Sequence, residues 1–192
     1  MKLTELIKQG TSAISRLYPE REAREMVLAY LCHTLGITRH THLVEPSYEV
    51  AADRMDRIMG DISRMASGEP LQYVVGQASF YGRDFHVTPS VLIPRPETEL
   101  LCRQALDFVK ASSGSLRILD LCTGSGCIAW TMALEMPGAE VTAVDISDDA
   151  LEIAAGQDFA AEMAHTGALR PHLIKADVLS DEILSILHEN LP

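Results

Sequence analysis

The chain has 192 residues, 47% of them apolar and 22% charged, with a formal net charge of −11. That apolar share supports a packed core of one or two domains and excludes a disordered chain. No run approaches the roughly 18–20 uninterrupted apolar residues of a membrane span. The charge is uneven: residues 1–68 hold nine basic and nine acidic side chains, whereas 69–192 hold seven and eighteen. This is a poor footprint for a nucleic-acid partner, which needs positive charge to displace counterions. The N-terminal MKLTELIKQG is amphipathic and has no apolar signal core, so a cytoplasmic protein with no membrane partner is expected. Cys32, Cys102, Cys122 and Cys127 form no CxxC pair and the seven histidines are scattered, which predicts buried free thiols and no metal site.

In chain order, apolar spacing predicts a first helix from Leu3 that ends at Tyr18-Pro19. A second is expected over 20–35, closed by Gly36. A third is expected over 47–66, with Ser47 as N-cap, a stripe of Val50, Met55, Ile58, Met59, Ile62 and Met65, and Gly68 at its end. Residues 71–76 and 80–87 are rich in β-branched and aromatic side chains and read as strands of a β-hairpin bridging two domains. Pro89, Pro94 and Pro96 then keep the chain irregular, and a helix runs from about Glu97 to Lys110. Residues 111–115 form a short connector. From Leu116 strand and helix alternate: strand 116–121, helix 127–135, strand 140–145, helix 148–167, strand 171–175. Such alternation predicts a parallel sheet. The expected domains are therefore 1–68, helical; 69–97, a hairpin linker; and 98–192, α/β.

The chemistry centres on Ile118-Leu-Asp-Leu-Cys-Thr-Gly-Ser-Gly126. A strand enters a glycine turn that opens a helix, where glycine lets the backbone pass close to a ligand and the helix start offers unpaired N–H groups. Nineteen residues beyond Gly126, at the end of the next strand, stands Asp145, placed to accept hydrogen bonds from both hydroxyls of a ribose. Asp177 follows the third strand, where a helix N-cap is its ordinary alternative. The spacing Gly124-Ser-Gly126-Cys-Ile-Ala129 fits a dinucleotide turn as well as an S-adenosylmethionine turn. Asp120, two positions before the loop, favours the latter, because it can meet the cationic amino end of S-adenosylmethionine and NAD offers no cation there.

Asp120-Leu-Cys-Thr-Gly-Ser-Gly-Cys-Ile-Ala129 resembles the first motif of class I methyltransferases, in the form found in release-factor glutamine methyltransferases. Gly68-Glu-Pro-Leu-Gln-Tyr73 with Gly76 and Phe80-Tyr-Gly82 is similar to that family too. So is Val91-Leu-Ile-Pro-Arg-Pro-Glu-Thr-Glu-Leu100, whose Pro-Arg-Pro-Glu-Thr-Glu core leads into the family's catalytic domain. The resemblance covers essentially the whole chain. It implies a Rossmann-like α/β sheet behind a small helical-bundle domain that recognises substrate, S-adenosylmethionine as cofactor, and a peptide chain release factor as protein substrate, methylated on a glutamine side-chain amide. Asp120, Cys122, Thr123, Gly124, Ser125 and Gly126 would then line the methionine end of the cofactor. Asp145 would hold the ribose, and Asp177 and Val178 would lie beside the adenine. Arg95, Pro96, Glu97, Thr98 and Glu99 would border the active-site mouth. Cys122 replaces a glycine common in the family, which implies a position without need of positive φ and a slightly narrower pocket.

The family's Asn-Pro-Pro-Tyr motif, whose carbonyls orient the substrate amide, is absent from these 192 residues. The resemblance therefore implies a sheet truncated before its fourth strand, no transfer by this stretch alone, and a pairing edge left open after the third strand unless 178–191 folds back over it. Leu179, Ile183, Leu184, Ile186 and Leu187 supply that segment's apolar surface. Two alternatives stand beside this reading: a nucleic-acid adenine methyltransferase, disfavoured by charge and by Pro-Arg-Pro-Glu-Thr-Glu, and a non-catalytic module that binds the release factor or the cofactor.

Overall fold

A computed structural model describes residues 1–109, 116–181 and 183–190. The expected connector 111–115, the last residue of the helix expected to reach Lys110, and the Leu187 side chain lie outside the described residues. The chain divides into two compact units, Met1–Gly76 and Gln77–Pro192.

The first unit is helical: α1 (Leu3–Ile14), α2 (Glu20–Leu35), α3 (Thr41–Val44), α4 (Ala52–Ala66) and α5 (Leu71–Val75). Leu6, Ile14, Val27, Leu31, Ile58, Ile62 and Met65 form its core. Gly10 lets α1 and α2 approach closely, since a Cβ there would stand 3.1 Å from both Val27 methyls. Two sequence expectations fail. The helix expected from Ser47 starts at Ala52, because residues 48–50 instead run extended beside the chain start. Leu3 N–H donates to the Tyr48 carbonyl at 3.0 Å and Val50 N–H to that of Met1 at 2.9 Å. The run 71–76 is a helical turn capped by Gly76 at φ 76°, not a strand. Leu71 and Val75, one turn apart, pack on the helical core together with Val74. A five-residue run is too short for periodicity to separate a strand from a buried helix.

The second unit opens with the hairpin, β1 (Gln77–Phe80) and β2 (Arg83–His86), paired antiparallel with Phe80 opposite Arg83. The strands are thus 77–80 and 83–86 rather than 71–76 and 80–87. Their turn places Tyr81 at φ 52° and Gly82 at φ 76°, the two left-handed positions whose twist matches a two-residue hairpin. Next come α6 (Pro96–Val109), β3 (Arg117–Leu121), α7 (Cys127–Glu135), β4 (Glu140–Asp145), α8 (Asp148–Ala155), α9 (Ala160–Thr166), β5 (His172–Lys175) and α10 (Ile183–Asn190). The three strands pair parallel in the order β3-β4-β5. The helix expected over 148–167 breaks into α8 and α9 between Gly156 and Phe159.

Ile118, Val141, Ala143 and Leu173 turn one face of the sheet toward Ala129, Met132 and Ala133 of α7. On the other face, Val178, Ile183 and Ile186 pack against Val144, Ile174 and Ala176. The segment after β5 therefore folds back over a face of the sheet rather than over a strand edge. β3 and β5 are both outer strands, and Leu119 and Leu121 of β3 stay 40% and 49% exposed.

Candidate functional site

The C-terminal ends of β3 and β4 meet at the glycine turn. Thr123 N–H donates to the Val144 carbonyl at 2.9 Å, so the turn continues the sheet pairing by one bond. To reach that partner the chain bends at Cys122, which adopts φ 62°. A cysteine here predicts a backbone without positive φ, and the structure overturns that. Strand pairing on one side and the glycines on the other fix the geometry, and the cysteine bears a strain of about 1–2 kcal/mol. Its side chain is exposed and that of Cys32 half-buried, so of the four thiols expected in the core only Cys102 and Cys127 are buried.

Gly124, at φ 55°, has nothing within 4 Å of where a Cβ would stand, which leaves open space above its backbone. Gly126, at φ 79°, is constrained from the other side: a Cβ would fall 3.0 Å from the Trp130 ring and 3.1 Å from the Ala154 Cβ. Trp130 is fixed in turn by its indole N–H, which donates to the Ala154 carbonyl at 2.8 Å. Helix α7 thus starts pressed against α8.

Asp145 ends β4 with both carboxylate oxygens directed by backbone. Oδ2 accepts from Gly124 N–H at 2.8 Å and Oδ1 from Ser147 N–H at 3.0 Å. Each carboxylate oxygen can accept more than one bond, so each retains capacity for a further donor. Ser147 also caps α8, its hydroxyl accepting from Ala150 N–H at 3.2 Å. Asp120 is buried beneath the turn and accepts from the Thr123 hydroxyl at 2.6 Å. Burial raises its carboxyl above the usual range, the Thr123 bond opposes this, and the nearby Asp145 charge adds to the rise. A cation would relieve that buried carboxylate. The thiols of Cys102 and Cys127 are both pushed up to about 11 by burial, which makes them inert core groups.

Two hydrogen bonds thus tie the turn to the strand ends: the Thr123 hydroxyl bonds Asp120 and the next residue's N–H, Gly124, bonds Asp145. Gly126 joins them, its N–H donating to the Thr123 carbonyl at 2.9 Å, whereas Asp177, Val178 and Arg95 to Glu99 bond elsewhere. Asp177 is exposed and its carboxylate accepts from Leu179 N–H at 2.9 Å. It closes a tight turn ahead of α10 and is not that helix's N-cap. Val178 is half-buried against the core of Val144, Ile174 and Ala176. Arg95 precedes α6, its carbonyl accepting from Thr98 N–H at 3.0 Å, and Pro96, Glu97, Thr98 and Glu99 form the first turn. Glu99 reaches back to the hairpin, where Oε1 accepts from Tyr81 N–H at 3.0 Å.

Sequence reading missed Gln157, which is 2% exposed and donates to the Ser125 carbonyl at 3.0 Å. The only hint was Gly156 inside a supposed helix. Among the described residues, no group of three or more His, Cys, Asp or Glu side chains is placed to hold a metal ion.

Two family models match the chain: the PrmC N-terminal domain over residues 5–76 and the methyltransferase small domain over 98–183. Curated relatives share one name, release factor glutamine methyltransferase. That of Koribacter versatilis is 46% identical over 134 residues, 70% of this chain and 46% of the relative. That of Chlorobaculum tepidum is 37% identical over 93% of this chain and 60% of the relative. That of Bacillus subtilis is 35% identical over 94% and 64%. The chain therefore spans roughly half to two thirds of the length of these relatives.

Proposed function

We propose a function from one premise: the chain belongs to the release factor glutamine methyltransferase family. Its α/β unit holds S-adenosylmethionine, and the protein methylates the side-chain amide nitrogen of a glutamine in a peptide chain release factor. The observation that carries this is the bond from Gly124 N–H to Asp145, which sets a turn with open space above it beside a carboxylate that still has accepting capacity.

The residues present suit the cofactor. Asp145 accepts from the ribose hydroxyls. The buried Asp120, lacking a cationic partner in the turn, stabilises the cofactor's amino group directly or through water. Cys122 to Gly126 line the methionine arm, with Gly124 giving the closest approach. Asp177 and Val178 border the adenine, and Arg95 to Glu99 the mouth. When bound, the cofactor supplies an electrophilic methyl group on a sulfonium. The chain's part is to hold it and keep its charge paired. An amide nitrogen is a weak nucleophile, so its placement supplies much of the rate. These 192 residues contain no Asn-Pro-Pro-Tyr run to accept from the amide NH₂, and on their own they are expected to bind cofactor without turnover.

The helical unit 1–76 is the recognition module for the release factor, and the protein works in the cytoplasm. No helix among the described residues is long and apolar enough to cross a membrane. The test joins this chain to the remaining C-terminal part of the Bacillus subtilis relative and supplies tritiated S-adenosylmethionine. Label should enter a release factor and vanish when its acceptor glutamine is replaced by leucine. Label in RNA or DNA adenine, with none in the release factor, would overturn the proposal.

A further inference from the structure

We infer that Gln157 is a positioning residue for the cofactor turn, coupling it to the hairpin from which the active-site border continues. Its amide sits in the break between α8 and α9 and spans two elements far apart in sequence. Oε1 accepts from His86 N–H at 2.9 Å, and Nε2 donates to the His86 carbonyl at 2.9 Å. This is the two-bond exchange that a neighbouring strand would make with β2. The second Nε2 hydrogen goes to the Ser125 carbonyl at 3.0 Å.

Holding the Ser125 carbonyl fixes the plane of the peptide between Ser125 and Gly126. The N–H of that peptide belongs to Gly126 and donates to the Thr123 carbonyl at 2.9 Å. One side chain thus sets the orientation of a peptide inside the turn without lying in the turn itself. On its other side it grips the last residue of β2, nine positions before Arg95. The hairpin is anchored independently, by Glu99 on Tyr81 N–H and by Arg83, which pairs with Glu162 and with Glu135 at 2.8 Å. Gln157 is therefore not needed to hold the hairpin onto this unit. What it adds is the link to the Ser125 carbonyl.

The chemistry of the position explains why an amide is required. Two carbonyls need two donors, and the His86 N–H needs an acceptor. A carboxylate of the same shape would offer no donor and would face both carbonyl oxygens with a negative charge. A protonated carboxyl would recover one donor.

This inference rests on the cofactor reading above, and the experiment separates the two. S-adenosylhomocysteine is titrated into the full chain and into Gln157→Glu at pH 8 and pH 5.5. The variant should bind at least about tenfold more weakly than wild type at pH 8 and return to within about threefold at pH 5.5, once its buried carboxyl protonates. A residue with a merely structural role would show no such pH-dependent ratio. If Gln157→Glu does not fold, hydrogen exchange on the wild type decides. Saturating S-adenosylhomocysteine should slow exchange of the His86 amide more than that of the remote Gly167 amide. Wild-type binding with an unaltered Gln157→Glu, or equal slowing at His86 and Gly167, would overturn this inference alone. No binding by the wild type would overturn the cofactor reading and this inference with it.

Discussion

The two units bury polar groups in different ways. In the helical unit the Tyr30 hydroxyl donates to Asp61 at 2.7 Å, and Arg64 also bonds Asp61, at 3.2 Å. That network ties α2 to α4 and is closed on itself. Burial and the Asp61 carboxylate push the Tyr30 hydroxyl up to about 12. In the α/β unit, Asp120, Thr123, Ser125 and Gln157 are all buried and converge on a single turn. There the groups retain capacity: Asp145 has accepting sites left, and Asp120 sits at a raised pKa with no cation in the turn. A closed polar network specifies packing, whereas one with capacity left over, set beside an open backbone, specifies a ligand site. The contrast separates changes that should alter stability alone from changes that should alter binding.

The largest effect is expected from Leu31→Ala in the helical core. It should cost about 2–5 kcal/mol in denaturant unfolding and leave affinity for S-adenosylhomocysteine unchanged. Gly126→Ala should cost about 2–4 kcal/mol, because it adds both left-handed strain and a clash with Trp130 and Ala154. Unlike the first change, it should also weaken binding. Calorimetry and urea titration on both variants check the pair, and a binding defect in Leu31→Ala would break the contrast. Tyr30→Phe should cost about 1 kcal/mol with binding intact, as the price of a single hydrogen bond to a charged group that keeps its arginine.

Asp120 gives a pH test. Its folded pKa is raised above the ordinary carboxylate value, so the native state holds this proton more tightly than the unfolded state. Its contribution to stability therefore falls as pH rises from the usual carboxylate range through the raised folded value. Binding of a cationic amino group favours the ionised form, so affinity should rise with pH over that same window, with proton release on binding. Asp120→Asn should flatten this slope, and an unchanged slope would assign it to another group. The smallest effect is at Cys122. Cys122→Gly should relieve strain and raise stability by up to about 1 kcal/mol, less what glycine loses through unfolded-chain entropy.

The parallel sheet and the glycine turn were legible because they rest on local rules: β-rich runs, helical spacing and glycine at a strand exit. The positions of Asp120 and Asp145 followed from the same register. What was not legible depended on partners distant in sequence. Leu71–Val75 is helical because a helical core accepts it, and residues 48–50 are extended because the chain start lies beside them. Cys122 is left-handed because Val144 sets the path of Thr123. Gln157 had no motif at all. Its role exists only once the break between α8 and α9 brings His86 and Ser125 to the same amide.

On the proposed function the turn and Asp145 form one adenosine-cofactor site. Its most direct test is calorimetric titration of S-adenosylhomocysteine into the wild-type chain and into Asp145→Asn. The variant keeps one acceptor oxygen but loses the charge and gives up the paired geometry of the two carboxylate oxygens. Wild-type binding with affinity lowered more than about tenfold in the variant, a loss of about 1.4 kcal/mol or more, is the predicted result. Equal affinity in the two proteins would place the ribose elsewhere and leave the turn and Asp145 without a shared ligand.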